Sequence, residues 1–355
     1  LTVTGTTAFD HPILSGLFGD DEIAALLDVE AELRAMLAFE SALAEAEADA
    51  GLIPHEAGLR IAAACAGFVA DIPALREATA RDGVVVPAFV KALRAAVEAP
   101  HGDHVHFGAT SQDVIDTALT LRLKQVLPIL DRRLEHLVGR LDEIGEKAGD
   151  LPLMAHTRMQ RALPFTAGDK LANWRLPLER CRARLAEIKP RLLVVSLGGP
   201  VGDRVSFEGL GDRIAEDLAK RLGLAPAPVW HAQRDGIAEF GAWLSLVSGS
   251  LGKMGQDVAL MAQNELGEVR LGEGGSSSAM PHKSNPIAAE MLVTLARFNA
   301  GLLGTLHQAL VHENERSGAA WSLEWMVLPQ MIMATAAGLR HAEALATNLT
   351  FVALS

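Results

Sequence analysis

Tyrosine is absent, and aromatic residues of every kind make up only 5% of the 355-residue chain. There are two cysteines, Cys65 and Cys181, far apart and outside any metal-ligand spacing. They suit a reduced, cytoplasmic interior better than a disulfide framework. Positive charge is in deficit: 32 Lys and Arg stand against 44 Asp and Glu, a formal net charge of −12. Such a chain lacks the positive face through which general nucleic-acid or anionic-membrane binders gain affinity. A handful of buried Arg and Lys can still make a locally positive site for a small anion. No apolar run reaches the ~18 to 20 residues of a membrane span, and no charged-then-apolar leader opens the chain. The expectation is a soluble, intracellular globular protein without nucleic-acid or membrane partners. Its 49% hydrophobic residues are enough to bury a sizeable core.

What is present is helical periodicity. From Asp21 to about Ala50, Ile23, Leu26, Leu27, Val29, Leu33, Met36 and Leu37 form a 3.6-residue stripe with Asp and Glu between them. Similar stripes cover Asp116–Leu151, Phe165–Leu193, Gly209–Leu222, Gly236–Leu266 and Ile287–His312. Strand-like alternation is scarce, so a βαβ arrangement is not expected. The predicted fold class is all-α, with helices far longer than the globular mean of ~11 to 12 residues. Breakers at Ala99–Asp103, Leu197–Pro200, Ala225–Pro228 and Gly272–Ser278 divide the chain. They suggest a smaller N-terminal helical domain over residues 1–105 and a central helical bundle over 106–350.

Three segments carry candidate chemistry. Ser276-Ser277-Ser278-Ala279-Met280-Pro281-His282-Lys283-Ser284-Asn285-Pro286 is a Gly/Ser-led loop just before a long helix. Such a loop can close over a ligand, and a serine near a cation is more readily deprotonated. Lys283 and Asn285 are suited to stabilise negative charge developing on an oxygen. A solvated linker with a Pro-terminated turn fits the composition equally. In His106-Phe107-Gly108-Ala109-Thr110-Ser111-Gln112-Asp113, Thr110, Ser111 and Asp113 suit a helix N-terminus, whose free N–H groups hold carboxylates. A capping segment without a ligand is the plainer alternative. His101, His104 and His106 cluster nearby, but no further set completes a metal site, and none is expected. In Met154-Ala155-His156-Thr157-Arg158-Met159-Gln160, the guanidinium of Arg158 can clamp a carboxylate or similar oxyanion bidentately. Alternatively, Arg158 is a solvated helix residue.

The first segment resembles the signature loop of the fumarase/aspartase superfamily, Gly-Ser-Ser-x-Met-Pro-x-Lys-x-Asn-Pro, with Ser276 where the family usually has Gly. The resemblance implies a catalytic base at Ser277, six residues before Lys283, with Ser278 beside it as a substrate contact. The second segment is similar to the superfamily's substrate-binding Thr-Ser segment, which implies carboxylate contacts from Thr110, Ser111 and Gln112. The third resembles Arg-Thr-His-x-Gln-x-Ala-x-Pro and keeps Thr157 and Gln160 in frame. It places Arg158 where many family lyases have a proton-transferring histidine, a role that an always-charged guanidinium cannot fill.

The stretches Arg81–Val90, Pro228–Asp235, His312–Ser317 and Trp321–Trp325 resemble the 3-carboxy-cis,cis-muconate cycloisomerase branch. In that branch Arg234 and Arg316 would neutralise a polyanionic substrate; as plain residues they also read as salt-bridged bundle surface. The resemblance implies cofactor-independent lactonisation of 3-carboxy-cis,cis-muconate to 4-carboxymuconolactone in protocatechuate breakdown, with a sulfo-substituted muconate as a further candidate. It also implies a homotetramer whose active sites draw on three chains, and a C-terminal small domain that is absent or truncated here. Two alternatives stay open: an adenylosuccinate- or argininosuccinate-type lyase, and a non-catalytic structural member of the fold.

Overall fold

The computed structural model describes residues 5–272, 275 and 284–352. After α1 (Ser15–Phe18), the first apolar stripe is not one helix but two, α2 (Asp21–Leu27) and α3 (Val29–Ala50). The break is chemical. Asp28 adopts an extended conformation and its carboxylate accepts the N–H of Ala31, capping α3 instead of continuing α2. Then come α4 (His55–Gly67), α5 (Ile72–Asp82) and α6 (Val86–Val97). Around α3 they build a core of Met36, Phe39, Leu43, Ile61, Phe89 and Leu93.

The 38-residue α7 (Ser111–Ala148) leads to an antiparallel hairpin, β1 (Pro152–Thr157) and β2 (Gln160–Thr166). Next are α8 (Ala167–Leu192), α9 (Gly211–Leu222) and α10 (Asp235–Met261). Strand β3 (Val269–Leu271), α11 (Ile287–Gln308) and α12 (Ala319–Asn348) follow, and β4 (Leu349–Phe351) pairs with β3. The all-α expectation therefore holds, with two small two-stranded sheets added. Helix α9 packs into the core built around α3.

Cross-helix contacts set the directions in the bundle. Arg175 and Arg182 of α8 meet Asp142 and Asp131 of α7, so these two helices are antiparallel. Cys181 and Trp174 of α8 meet Trp243 and Asp257 of α10, again antiparallel. Three glycines let α11 lie close along α10. A Cβ at Gly241, Gly252 or Gly255 would come within 2.5 Å of Leu306, Ala296 or Ala289. In α12, Trp321 reaches Asp116 of α7, and Ala336 accepts from Arg133, so α12 runs parallel to α7. The five helices thus alternate in direction. Helix α12 is apolar and buried all round its middle, from Met331 to Leu339, and so shows no stripe in sequence. By length and mean hydropathy helix α11 could cross a membrane, although Glu290 and Arg297 interrupt its apolar run. Here it lies against α10 and α12.

Candidate functional site

The alternating bundle divides the expected site residues between its two ends. At the end where α7, α10 and α12 begin lie Thr110, Ser111, Gln112, Arg234 and Arg316. At the opposite end lie the hairpin, with Thr157, Arg158 and Gln160, and Asn285 at the start of α11. The 27 residues of α10 put about 40 Å between the two groups. One chain does not bring them together.

The α7 end is organised by Asp113, a fully buried carboxylate. It accepts the backbone N–H groups of Thr110 (3.0 Å), Gly198 (2.7 Å) and Gly199 (2.9 Å), and its Oδ1 lies 2.7 Å from Nε2 of His231. The Gly-Gly-Pro turn is thereby pinned to the first turn of α7. Gly199 has φ 72°, and a Cβ there would sit 2.9 Å from the carbonyl oxygen of Gly108, so the close approach requires glycine. Arg316, exposed, donates to the Pro200 carbonyl at 2.6 Å and faces this turn.

Behind the turn is a buried ionic cluster. Arg234 donates to both oxygens of Asp116, at 2.6 and 3.0 Å, and to both of Glu324, at 2.5 and 2.9 Å. Its guanidinium also stacks over Trp230 at 4.7 Å. Burial works against this cation, but the two carboxylates outweigh it and hold its pKa above the ordinary value. Glu324 is pushed up by burial in spite of Arg234. His312, beside Glu324, is pushed down by burial and by the Arg234 charge. Arg234 is 2% exposed with its donors committed on both edges. The structure thus corrects the expectation of an open substrate-binding cation: Arg234 ties α7, α10 and α12 together.

Gln112 is corrected in the same way. Its amide Nε2 donates to Asp116 and to the His231 carbonyl, and only its buried Oε1 is unpartnered. A carboxylate needs a donor, and this side chain has none to offer. Thr110 is buried and Ser111 half-buried, in the first turn of α7, where backbone N–H groups lack intrahelical partners.

At the opposite end the hairpin replaces the helical setting considered for Arg158. Thr157 pairs with Gln160 across a two-residue turn, in which Arg158 (φ 48°) and Met159 (φ 66°) are both left-handed. All four residues are exposed. Asn285 exchanges two backbone hydrogen bonds with Gly275, closing the base of the signature loop. Gly275 is needed there because a Cβ would meet Ile287 at 2.5 Å. Ser277, Ser278 and Lys283 lie outside the described residues.

Sequence alone marks Asp113 only as a helix-start residue and gives no signal for its role as a hub, or for Asp116, Glu324 and His231 as positioning partners. Among the described residues no group of three or more His, Cys, Asp or Glu is placed to hold a metal.

A protein-family profile described as Lyase matches residues 20–299. The 3-carboxy-cis,cis-muconate cycloisomerase of Pseudomonas aeruginosa is 42% identical over 333 residues, 92% of this chain and 72% of its own length. That of Pseudomonas putida is 40% identical over 349 residues, 96% of this chain and 80% of its own length. The crystal structure of 3-carboxy-cis,cis-muconate lactonizing enzyme from Pseudomonas putida superposes with a TM-score of 0.90 at 40% identity, over 96% of this chain and 77% of that one. The chain belongs to the lyase family of the fumarase/aspartase superfamily, in the branch of the 3-carboxy-cis,cis-muconate cycloisomerases.

Proposed function

We propose that the chain lactonises 3-carboxy-cis,cis-muconate to 4-carboxymuconolactone, without a cofactor, in the cytoplasm. The observation that carries this reading is identity of 40–42% with two cycloisomerases across more than nine-tenths of the chain. In the reaction a substrate carboxylate oxygen bonds to an alkene carbon, and the adjacent carbon passes through an enolate-like state and gains a proton. Nothing is oxidised or reduced. Ser277 is the proton-transfer group, with Ser278 beside it; Lys283 and Asn285 stabilise the enolate-like oxygen. Thr110, Ser111 and Arg316 hold carboxylates at the α7 end. Thr157, Arg158 and Gln160 contribute from the hairpin, where the Arg158 fork also suits a sulfonate in place of the 3-carboxylate.

The site assembles in a homotetramer, each copy supplying a different end of its bundle. Two features support this. Met159 and Leu163 of the hairpin are each 71% exposed, and an isolated hairpin is marginal in water. Helix α11 is strongly apolar yet leaves Phe298, Gly301 and Gly304 exposed.

The test is loss of the ultraviolet absorbance of the conjugated muconate on mixing with the protein, together with product analysis. A single lactone, with no fumarate released, is expected. Unchanged absorbance of muconate, or release of fumarate from a succinyl adduct instead, would overturn the reading.

A further inference from the structure

Four residues before Thr110 the backbone is in an uncommon state. His106 has φ 60°, and Gly108 repeats the left-handed conformation at φ 65°. A non-glycine residue stays there when its surroundings hold it. Here the hold is a hydrogen bond: Nδ1 of His106 lies 2.6 Å from Oε1 of Glu40, a residue of α3 only 1% exposed. Glu40 sits among Met36, Phe39 and Leu43, and its other oxygen has no partner. A carboxylate accepts, so Nδ1–H donates, leaving Nε2 at the open edge of a side chain 13% exposed. Among the described residues Nε2 has no hydrogen-bond partner.

Three charged groups face the ring: Glu40 from α3, Asp113 from α7 and Arg94 from α6. Burial disfavours the imidazolium, but the Glu40 charge and hydrogen bond outweigh it, and the pKa lies above the ordinary value. The neighbours of Glu40 carry no competing charge near neutral pH. Burial and Glu40 push Glu47 up to about 9 and the Cys65 thiol up to about 12. The dyad is a hydrogen-bonded pair beside the first turn of α7, with Asp113 and Arg94 as its nearest charges.

We propose that His106 is a substrate-binding cation, its Nε2–H donating to a muconate carboxylate beside Thr110 and Ser111, and that Glu40 is the positioning residue that orients the ring and keeps it charged. An imidazolium has no lone pair to abstract a proton, so His106 acts as a donor and not as a base. The inference rests on the muconate reading above.

The experiment is the pH dependence of KM for 3-carboxy-cis,cis-muconate, from about pH 6 to 9, in wild type, Glu40→Gln and His106→Asn, with assembly checked by light scattering. In wild type KM rises on the alkaline side as the ring loses its proton. In Glu40→Gln that rise moves about 1 to 2 pH units lower, while KM in acid returns to the wild-type value. A purely structural defect would not be rescued by acid. In His106→Asn KM is about tenfold higher and the dependence on this ionisation is gone. A Glu40→Gln profile superimposed on wild type, or wild-type KM in His106→Asn, would overturn the proposal.

Should Glu40→Gln fail to assemble, the His106 ring of wild type is titrated by nitrogen NMR with and without propane-1,2,3-tricarboxylate. A rise in its pKa on saturation is expected, and an unmoved ring that nevertheless coexists with bound tricarboxylate contradicts the assignment. Absence of lactone in wild type would sink the muconate reading alone, because the tricarboxylate titration judges His106 separately.

Discussion

The two ends of the bundle hold the same kind of residue in opposite states. At the α7 end, Arg234 is buried between Asp116 and Glu324, every edge of its guanidinium matched. At the hairpin end, Arg158 stands exposed on a strained turn with no partner among the described residues. Both were expected to bind substrate. The comparison teaches that an arginine's availability, and not its presence, makes it a binding group. Arg234 is satisfied within the chain, whereas the hairpin presents Arg158, Met159 and Leu163 at the surface.

The contrast is broken most severely by Arg234→Met. It strands Asp116 and Glu324 as buried carboxylates without a counter-charge, and the expected loss is about 3–5 kcal/mol, read from denaturant unfolding. Arg158→Ala should leave the melting temperature unmoved. Equal stability of the two variants would erase the distinction between the ends.

Ser277→Ala comes next. Turnover should fall by at least ~10²-fold with helicity and assembly intact, as measured by muconate absorbance and circular dichroism. If Ser278→Ala is dead and Ser277→Ala is near wild type, the register of the signature loop is shifted by one. Arg158→His then sharpens the role of the exposed fork. Sulfo-muconate turnover should be lost while carboxy-muconate turnover is partly retained, and equal losses on both substrates would make Arg158 a general clamp.

A pH-dependent effect concerns Glu47, whose folded-state pKa of about 9 exceeds its ordinary 4.5 because of burial and Glu40. Between those values the folded state keeps a proton that the unfolded state releases, so stability falls as pH rises through that window. The slope is at most about 1.4 kcal/mol per pH unit. Glu47→Gln should remove this component, and the variant's advantage in melting temperature should grow from acid to alkaline pH. A difference independent of pH would show that Glu47 is not held protonated.

Much of this was legible in the sequence. The stripes of α7, α8, α10 and α11 marked the bundle, and the Thr110-Ser111 and Asn285 segments fall at helix starts. The rest was hidden for physical reasons. Helix α12 has no polar face to reveal its period. The hairpin turn uses Arg158-Met159 in place of the Asn-Gly type that signals a type I′ connection. Glu40 and Glu47 are charged residues, yet Met36, Glu40, Leu43 and Glu47 follow one another at helical spacing on the buried face of α3. Checking charged residues against the stripe, one by one, would have flagged both.

The central claim, that each active site is complete only across copies, is tested most directly by mixing two inactive variants. Ser111→Ala damages the α7 end and Asn285→Ala the opposite end. Co-refolded in equal amounts, they should regain activity approaching about a quarter of wild type, because some sites then draw both segments from undamaged ends. Assembly of mixed tetramers with no return of activity would contradict the account.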